Sequence, residues 1–179
     1  MTRRFVLQIL AGMMNAAIVV ASAFPALSFL AYPLTRKRKP SEFVRVAPLS
    51  ALNSSAPTRV AVVAERTDSF LRFPASPVGQ VWLDAGTGVD RSSAQVRCLQ
   101  TICPHLGCSI DYSPDRGGYA CPCHTSDFSR DGRRLTGPSP RDMDELECRV
   151  SDPDGDGQRW VEIRYQQFRT GTAERRPLA

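Results

Sequence analysis

Two histidines are all that this 179-residue chain contains, and both stand among cysteines. His105 follows Cys103 by two residues, and His124 follows Cys121 by three. That scarcity excludes Ser–His–Asp hydrolysis, which would need one imidazole free to serve a nucleophile. Charge is missing too. Phe5 to Leu34 carries no charged side chain, and residues 1–40 carry no acid. The run is long enough to cross a bilayer, which takes about 20 apolar residues. Residues 1–40 hold six basic side chains: Arg3, Arg4, Arg36, Lys37, Arg38 and Lys39. The other 17 basic residues, all arginine, face all 18 acids within residues 41–179. The net charge of +5 therefore belongs to the flanks of the apolar run. The globular part is nearly neutral, which excludes a basic nucleic-acid surface. No long amphipathic helix and no internal repeat stands out beyond residue 41.

What is present is a paired motif. Cys103-Pro-His105-Leu-Gly-Cys108 is followed by Cys121-Pro-Cys123-His124. Thiolates suit iron–sulfur chemistry, and neutral imidazole suits iron, copper or zinc. A C-x-H and C-x-x-H pair alone could hold a tetrahedral zinc. An iron pair with two thiolates and two imidazoles is the other reading. Gly107 and Pro122 let the backbone turn tightly at each half. Cys108 and Cys123 stand beside the two pairs.

The wording C-x-H-x-G-C with C-P-C-H resembles the Rieske iron–sulfur family, strongly over Val96 to Arg141. The resemblance implies one [2Fe–2S] cluster per chain. Its metal ligands would be Cys103, His105, Cys121 and His124, with both cysteines on one iron and both histidines on the other. It implies a disulfide between Cys108 and Cys123, which requires an oxidising compartment and marks the cytochrome bc branch. It gives Ser126 a hydroxyl donated to a bridging sulfide. Gly137-Pro138-Ser139-Pro140 resembles the proline loop that covers the cluster, and Leu106 would add apolar docking surface. Three departures are visible. Phe128 stands where many members carry a tyrosine that donates to a cysteine sulfur, which predicts a lower reduction potential. Thr125 stands where glycine is usual, and Pro104 where threonine is common.

By the same resemblance the chain is the iron–sulfur subunit of a quinol–cytochrome c reductase of bc or b6f type. Its partners would be a cytochrome b subunit, a c-type cytochrome and quinol, with menaquinol favoured, in a dimeric complex. His105 and His124 would take the proton that accompanies the electron. The chain has no C-x-x-C-H haem attachment of its own. The second reading is the Rieske subunit of another periplasmic oxidoreductase, such as arsenite oxidase.

The expected fold is mainly β, an antiparallel sandwich or barrel with an inserted cluster-binding subdomain and one N-terminal transmembrane helix. Residues 1–34 form the anchor, 35–41 a basic hinge, 42–169 the Rieske domain with its cluster subdomain at about 96–141, and 170–179 a disordered tail. Strand-like runs cover Phe43–Val46, Arg59–Ala64, Val78–Leu83, Ala94–Leu99, Leu146–Val150 and Arg159–Phe168, the last two as a final hairpin. Gly86, Gly88, Asp115, Gly117 and Gly118 mark turns. Ala21-Ser22-Ala23 has the look of a cleavage site, but the apolar run continues past it, which favours an uncleaved anchor. Thr2-Arg3-Arg4 is a partial twin-arginine export signal. Export and the disulfide place the head on the periplasmic face of a bacterial inner membrane, against the positive charges that follow the anchor. Asp152 to Gly157 opens like a calcium loop but lacks the glutamate at its twelfth place, so a hairpin turn is expected. Cys98 and Cys148 lie in strand-like runs. Free, buried thiols are favoured over a second disulfide.

Overall fold

The computed structural model describes residues 2–35, 42–53, 55–68, 71–86 and 96–178. Residues 36–41 of the expected hinge lie outside that set, as do Gly88, Ala94 and Gln95. The chain forms two compact units, residues 1–40 and 41–179.

The first unit is one helix, α1, Arg3–Thr35. Its 33 residues span roughly 50 Å at about 1.5 Å each. The apolar side chains of Leu7, Met14, Val20, Phe24, Phe29 and Leu30 are exposed all round it. Its two serine hydroxyls are satisfied within the helix: Ser22 donates to the Ile18 carbonyl and Ser28 to the Phe24 carbonyl, each at 2.7 Å. An all-round apolar helix with internally satisfied serines is suited to lipid, and the segment is long and apolar enough to cross a membrane.

The second unit is built from three antiparallel sheets. Strands β1 (Phe43–Pro48), β11 (Trp160–Arg164) and β10 (Cys148–Val150) form one sheet. Strands β2 (Thr58–Asp68), β3 (Leu71–Asp84), β4 (Arg97–Gln100) and β9 (Glu145–Leu146) form the second. The third is a small meander of β5 (Asp111–Ser113), β6 (Gly118–Cys121), β7 (Ser126–Ser129) and β8 (Arg134–Thr136). The fold is thus antiparallel β with one long apolar helix, as the sequence implies.

The first two sheets close over one core. Val62, Val81, Leu83, Cys98, Leu146, Val161 and Ile163 meet there, all at most 4% exposed. The chain changes sheet at Glu147: Leu146 pairs with Cys98 in one sheet, and Cys148 pairs with Ile163 in the other. The expected final hairpin is β10 with β11. Its loop is a turn made by Asp154, whose Oδ1 accepts the N–H groups of Asp156 and Gln158 and whose Oδ2 accepts Trp160 Nε1. Cys98 and Cys148 are free, Cys98 wholly buried and Cys148 partly so. Burial pushes the Cys148 thiol up to about 11, and its sulfur meets the Val96 carbonyl at 2.6 Å.

A second, smaller core lies under the meander: Trp82, Leu99, Ile110, Tyr119, Phe128 and Met143, with Cys103 and Cys121. Trp82 belongs to β3, so one indole joins the meander to the larger sheet. Its Nε1 donates to the Ile110 carbonyl at 3.0 Å. Arg59 on β2 makes a second tie, stacking 5.7 Å from the Trp82 ring and donating to Asp111 and Ser109.

Two expectations need correction. Gly118 marks no turn; it is buried in β6, where a Cβ would collide with the Phe128 carbonyl of β7. The turn is the short 3-10 segment Pro114–Arg116 capped by Gly117. The segment 170–178 is not a disordered tail. Arg169 N–H donates to the Arg176 carbonyl and Leu178 N–H to the Gln167 carbonyl, both at 2.8 Å. An isolated bridge joins Phe168 to Pro177, and Phe168 is buried in the larger core.

Candidate metal centre

Two hairpin ends carry the motif. The first starts where β4 runs out. Ile102 and Ser109 form a bridge, Cys103 N–H donates to the Cys108 carbonyl at 2.8 Å, and Gly107 N–H returns to the Cys103 carbonyl at 2.9 Å. The segment 103–108 is therefore a closed loop with His105 and Leu106 near its tip. The second is the connection of β6 to β7: Cys121 pairs with Ser126, and Pro122, Cys123, His124 and Thr125 make the turn. Thr125 carries a φ of 56°, the left-handed conformation that glycine would adopt freely.

The structure joins the loops at Cys108–Cys123, a disulfide with Cα atoms 6.5 Å apart. The sulfurs of Cys108, Cys121 and Cys123 cluster together, but two of them are spent in that bond. The donors left over are Cys103 and Cys121, both buried, and the two imidazoles. The His105 and His124 ring centroids lie 4.8 Å apart and nearly perpendicular. The Cys103 thiol lies against that of Cys121.

This donor set fits an iron–sulfur cluster on two counts. His105 Nδ1 is buried and has no hydrogen-bond partner, an arrangement that a metal bond would satisfy. Burial pushes the Cys103 thiol up to about 11, with the Cys121 thiol adding to the rise, while the N–H groups of His105 and Leu106 pull it down. Two N–H groups aimed at a buried sulfur suit a thiolate, and a metal cation supplies the charge that holds it deprotonated.

Around the loops stands the Gly137–Pro140 segment. Ser126 is wholly buried, and its Oγ accepts the Ser139 N–H at 3.1 Å. That bond leaves the Ser126 O–H available as a donor. Gly137 has a φ of 87°, and a Cβ there would sit against Ser126 Cα, 2.5 Å from the Thr125 oxygen and 2.8 Å from the Ser126 nitrogen. Only glycine allows this approach. Ser139 is buried, Pro140 half-buried and Pro138 exposed. Leu106 is 63% exposed, an apolar side chain left in solvent beside His105. Phe128 is 1% exposed in the small core with Cys103 and Cys121.

The residues that the Rieske resemblance assigns to the cluster, the disulfide and the proline loop thus lie in or beside these loops. The reading of the sequence missed the polar ties beneath them. Arg130 forks onto Asp84 at 2.7 and 2.9 Å, and Arg141 onto Asp144 at 3.0 and 2.7 Å. Burial alone would raise the Asp84 pKa, but the Arg130 guanidinium and the Gly86 N–H outweigh it and hold the carboxyl below its ordinary range. No local signal announces the first pair, since Asp84 and Arg130 are 46 residues apart.

Comparison with known proteins adds a family. The family model described as "Rieske [2Fe-2S] domain" matches residues 44–148. The ubiquinol-cytochrome c reductase iron-sulfur subunit of Rhodobacter capsulatus is 36% identical over 112 residues, 61% of this chain and 52% of the relative. The cytochrome b6-f complex iron-sulfur subunit of Chlorobaculum tepidum is 25% identical over 150 residues, 84% of this chain and 71% of the relative. The chloroplastic b6-f subunit of Pisum sativum is 35% identical over 77 residues, 42% of this chain and 32% of the relative. The chain spans only about a third to a half of the length of several such relatives. Among solved structures, the plasma membrane Rieske protein of Synechocystis PCC 6803 aligns with a TM-score of 0.41 at 22% identity, covering 68% of this chain and 98% of that one.

Proposed function

We propose that this chain, which belongs to the Rieske [2Fe–2S] domain family, is the iron–sulfur subunit of a quinol-oxidising cytochrome bc or b6f-type complex. The observation that carries the proposal is the pair of Cys-and-His loops locked by the Cys108–Cys123 disulfide, in a chain that also holds a membrane-length apolar helix. Cys103, Cys121, His105 and His124 would hold the cluster. When bound, it supplies a one-electron acceptor whose potential lies in a window of about −150 to +300 mV.

The chain's own residues do the rest. With Nδ1 of His105 facing inward, its Nε2 is the atom left to meet quinol and take a proton. His124 is the more exposed of the two rings, so water and substrate reach it directly. Leu106 and Pro138 give the rim an apolar surface that expels water from a docked partner. Ser126 is held by the Ser139 N–H, which aims its hydroxyl for donation to the cluster. The two cysteines close the buried side, over Phe128, Trp82 and Ile110.

The partners proposed are a cytochrome b subunit, which takes the second electron of quinol, and a c-type cytochrome, which takes the first. Menaquinol is the favoured substrate, because Phe128 removes a hydrogen-bond donor and so lowers the potential. A dimeric complex in a bacterial plasma membrane, with residues 42–169 on the periplasmic side and 35–41 as the hinge, completes the reading. Purification of the native complex tests it. A reduced-state EPR signal with mean g below the free-electron value, cytochromes b and c in the same particle, and quinol-dependent cytochrome reduction are expected. Zinc in place of iron, or a molybdenum subunit in place of cytochrome b, refutes it.

A further inference from the structure

The last residues of the chain reach the first cluster loop. Gly171 donates its N–H to the Pro104 carbonyl at 2.8 Å. Pro104 stands between Cys103 and His105 and is fully buried. The Thr170 methyl lies against Gly107, 3.8 Å from where a side chain would begin there. The turn Arg169–Thr172 therefore touches loop 103–108 near both ends.

One guanidinium holds that turn. Arg141 Nη2 donates to the Arg169 carbonyl at 3.0 Å and Nη1 to the Thr172 carbonyl at 2.5 Å. The same side chain forks onto Asp144, and the two are 10% and 3% exposed. Asp144 is fixed in turn, its carbonyl accepting the Gln100 N–H at 2.9 Å. Behind the turn, Phe168 is buried in the larger core, and Arg175 stacks on its ring at 4.9 Å while donating to the Glu145 carbonyl.

Arg141 also follows Pro140 directly. Its carbonyl accepts Ser139 Oγ at 2.8 Å, and the Ser139 N–H ends on Ser126. Arg141 thus stands between two routes to the candidate centre. One runs through the turn to Pro104, and the other through the proline loop to Ser126. The disulfide fixes loop 103–108 at Cys108, and the Cys103 N–H bond to the Cys108 carbonyl closes its base. Neither tie reaches the peptide between Pro104 and His105.

We infer that Arg141 is a positioning residue for the metal centre, and that the turn Arg169–Thr172 is a clasp fixing the peptide between Cys103 and His105. The inference rests on the assignment of those two residues as ligands. Guanidinium is suited to the role: its planar fork spans two carbonyls and a carboxylate at once, which a lysine ammonium does not.

The test uses the full-length, cluster-loaded protein and two variants. Arg141→Lys keeps the charge beside Asp144 but cannot span both carbonyls. Gly171→Ala strains a residue at φ +72°, while the nearest atom in its path, the His105 oxygen at 3.7 Å, leaves room for the methyl. Amide hydrogen exchange is read at Cys103 and Gly107, with amides of β2 and β3 as the reference for global opening. Reduced-state EPR is recorded alongside. In both variants we expect exchange in 103–108 to rise roughly tenfold, about 1.4 kcal/mol of local opening. The reference should stay unchanged and the g values should shift. Unchanged exchange at 103–108, or a rise only in step with the reference, overturns the clasp. Faster exchange with an unaltered spectrum overturns the positioning role. The premise fails separately: a native spectrum in His105→Ala removes the ligand assignment, and the positioning role with it.

Discussion

Replacing Gly137 with alanine puts a methyl group where the proline loop meets the second cluster loop. The added Cβ lies against Ser126 Cα and 2.5 Å from the Thr125 oxygen, and these are backbone atoms that no rotamer change can move. Forcing such a contact apart costs about 1–3 kcal/mol. The left-handed φ of 87° adds roughly 1–2 kcal/mol for any side chain. The strain, about 2–5 kcal/mol in all, has an outlet. The loop is held to the body by the Ser139–Ser126 hydrogen bond, worth about 1 kcal/mol, and by Arg134 on the Ser139 carbonyl, worth about 1.5–3 kcal/mol. Releasing those ties costs about as much as keeping the strain, so the loop detaches before the domain unfolds. Urea titration should show a loss of about 2–4 kcal/mol, and the Ser139 amide should lose its exchange protection. Gly155→Ala is the control. No atom lies within 4 Å of a Cβ there, and the change should be near zero or slightly stabilising. Equal stability of the two variants within about 0.5 kcal/mol, or a protected Ser139 amide in Gly137→Ala, refutes the reasoning.

Thr125→Gly should act in the opposite direction. Relief of the strained φ of 56° returns roughly 1–2 kcal/mol, and the freer unfolded chain takes back about 0.5–1 kcal/mol. Urea titration should therefore show a gain between zero and about 1.5 kcal/mol, and a clear loss counts against strain at this residue. Asp84→Asn should weaken the head at neutral pH by about 1–3 kcal/mol, through the lost charge opposite Arg130. The folded pKa of Asp84 lies below its ordinary range, so its contribution is complete above the unfolded pKa and disappears as pH falls through the folded one. The gap between wild type and variant in urea titrations should narrow as pH falls below the ordinary aspartate range of about 4, and a gap that does not shrink with falling pH contradicts the assignment. Phe128→Tyr should raise the midpoint potential. One net hydrogen bond of about 1 kcal/mol corresponds to ~40 mV for a one-electron couple. An unchanged redox titration removes the argument for a low-potential quinol.

Legibility in the sequence followed the range of the interaction. The cluster loops could be read because each closes within a few residues: Cys103 to Cys108, and Cys121 to Ser126. The strands of the larger core could be read from alternation, although β2 and β3 extend beyond their apolar cores to Asp68 and Leu71. The meander strands went unnamed. Each is three or four residues long, too short for a period to repeat. The segment after Phe168 read as a tail because Arg169-Thr-Gly-Thr172 has almost nothing apolar to bury. Its order comes from backbone carbonyls that accept from Arg141, 28 and 31 residues earlier. A carbonyl is the same in every residue, so the sequence carries no mark of that use. Gly118 misled for a related reason. Glycine serves turns and close approaches alike, and only the position of the Phe128 carbonyl separates the two.

The same physics accounts for arginine at three positions around the centre. All 17 basic residues beyond residue 40 are arginine. The core under the meander is smaller than the one between the two larger sheets, and polar ties supplement it. Arg59 reaches Gln80, Asp111 and Ser109; Arg130 reaches Asp84 and the Ser55 carbonyl; Arg141 reaches Asp144 and two carbonyls of one turn. Each joins segments distant in sequence, and each uses at least two nitrogens at separate acceptors. An ammonium on a flexible stem could satisfy one such acceptor firmly, but its donors do not lie in a plane with fixed spacing. Lysine at these three positions would keep the charge and lose the geometry. Guanidinium forks thus add to the disulfide and the small core in tying distant segments together around the centre.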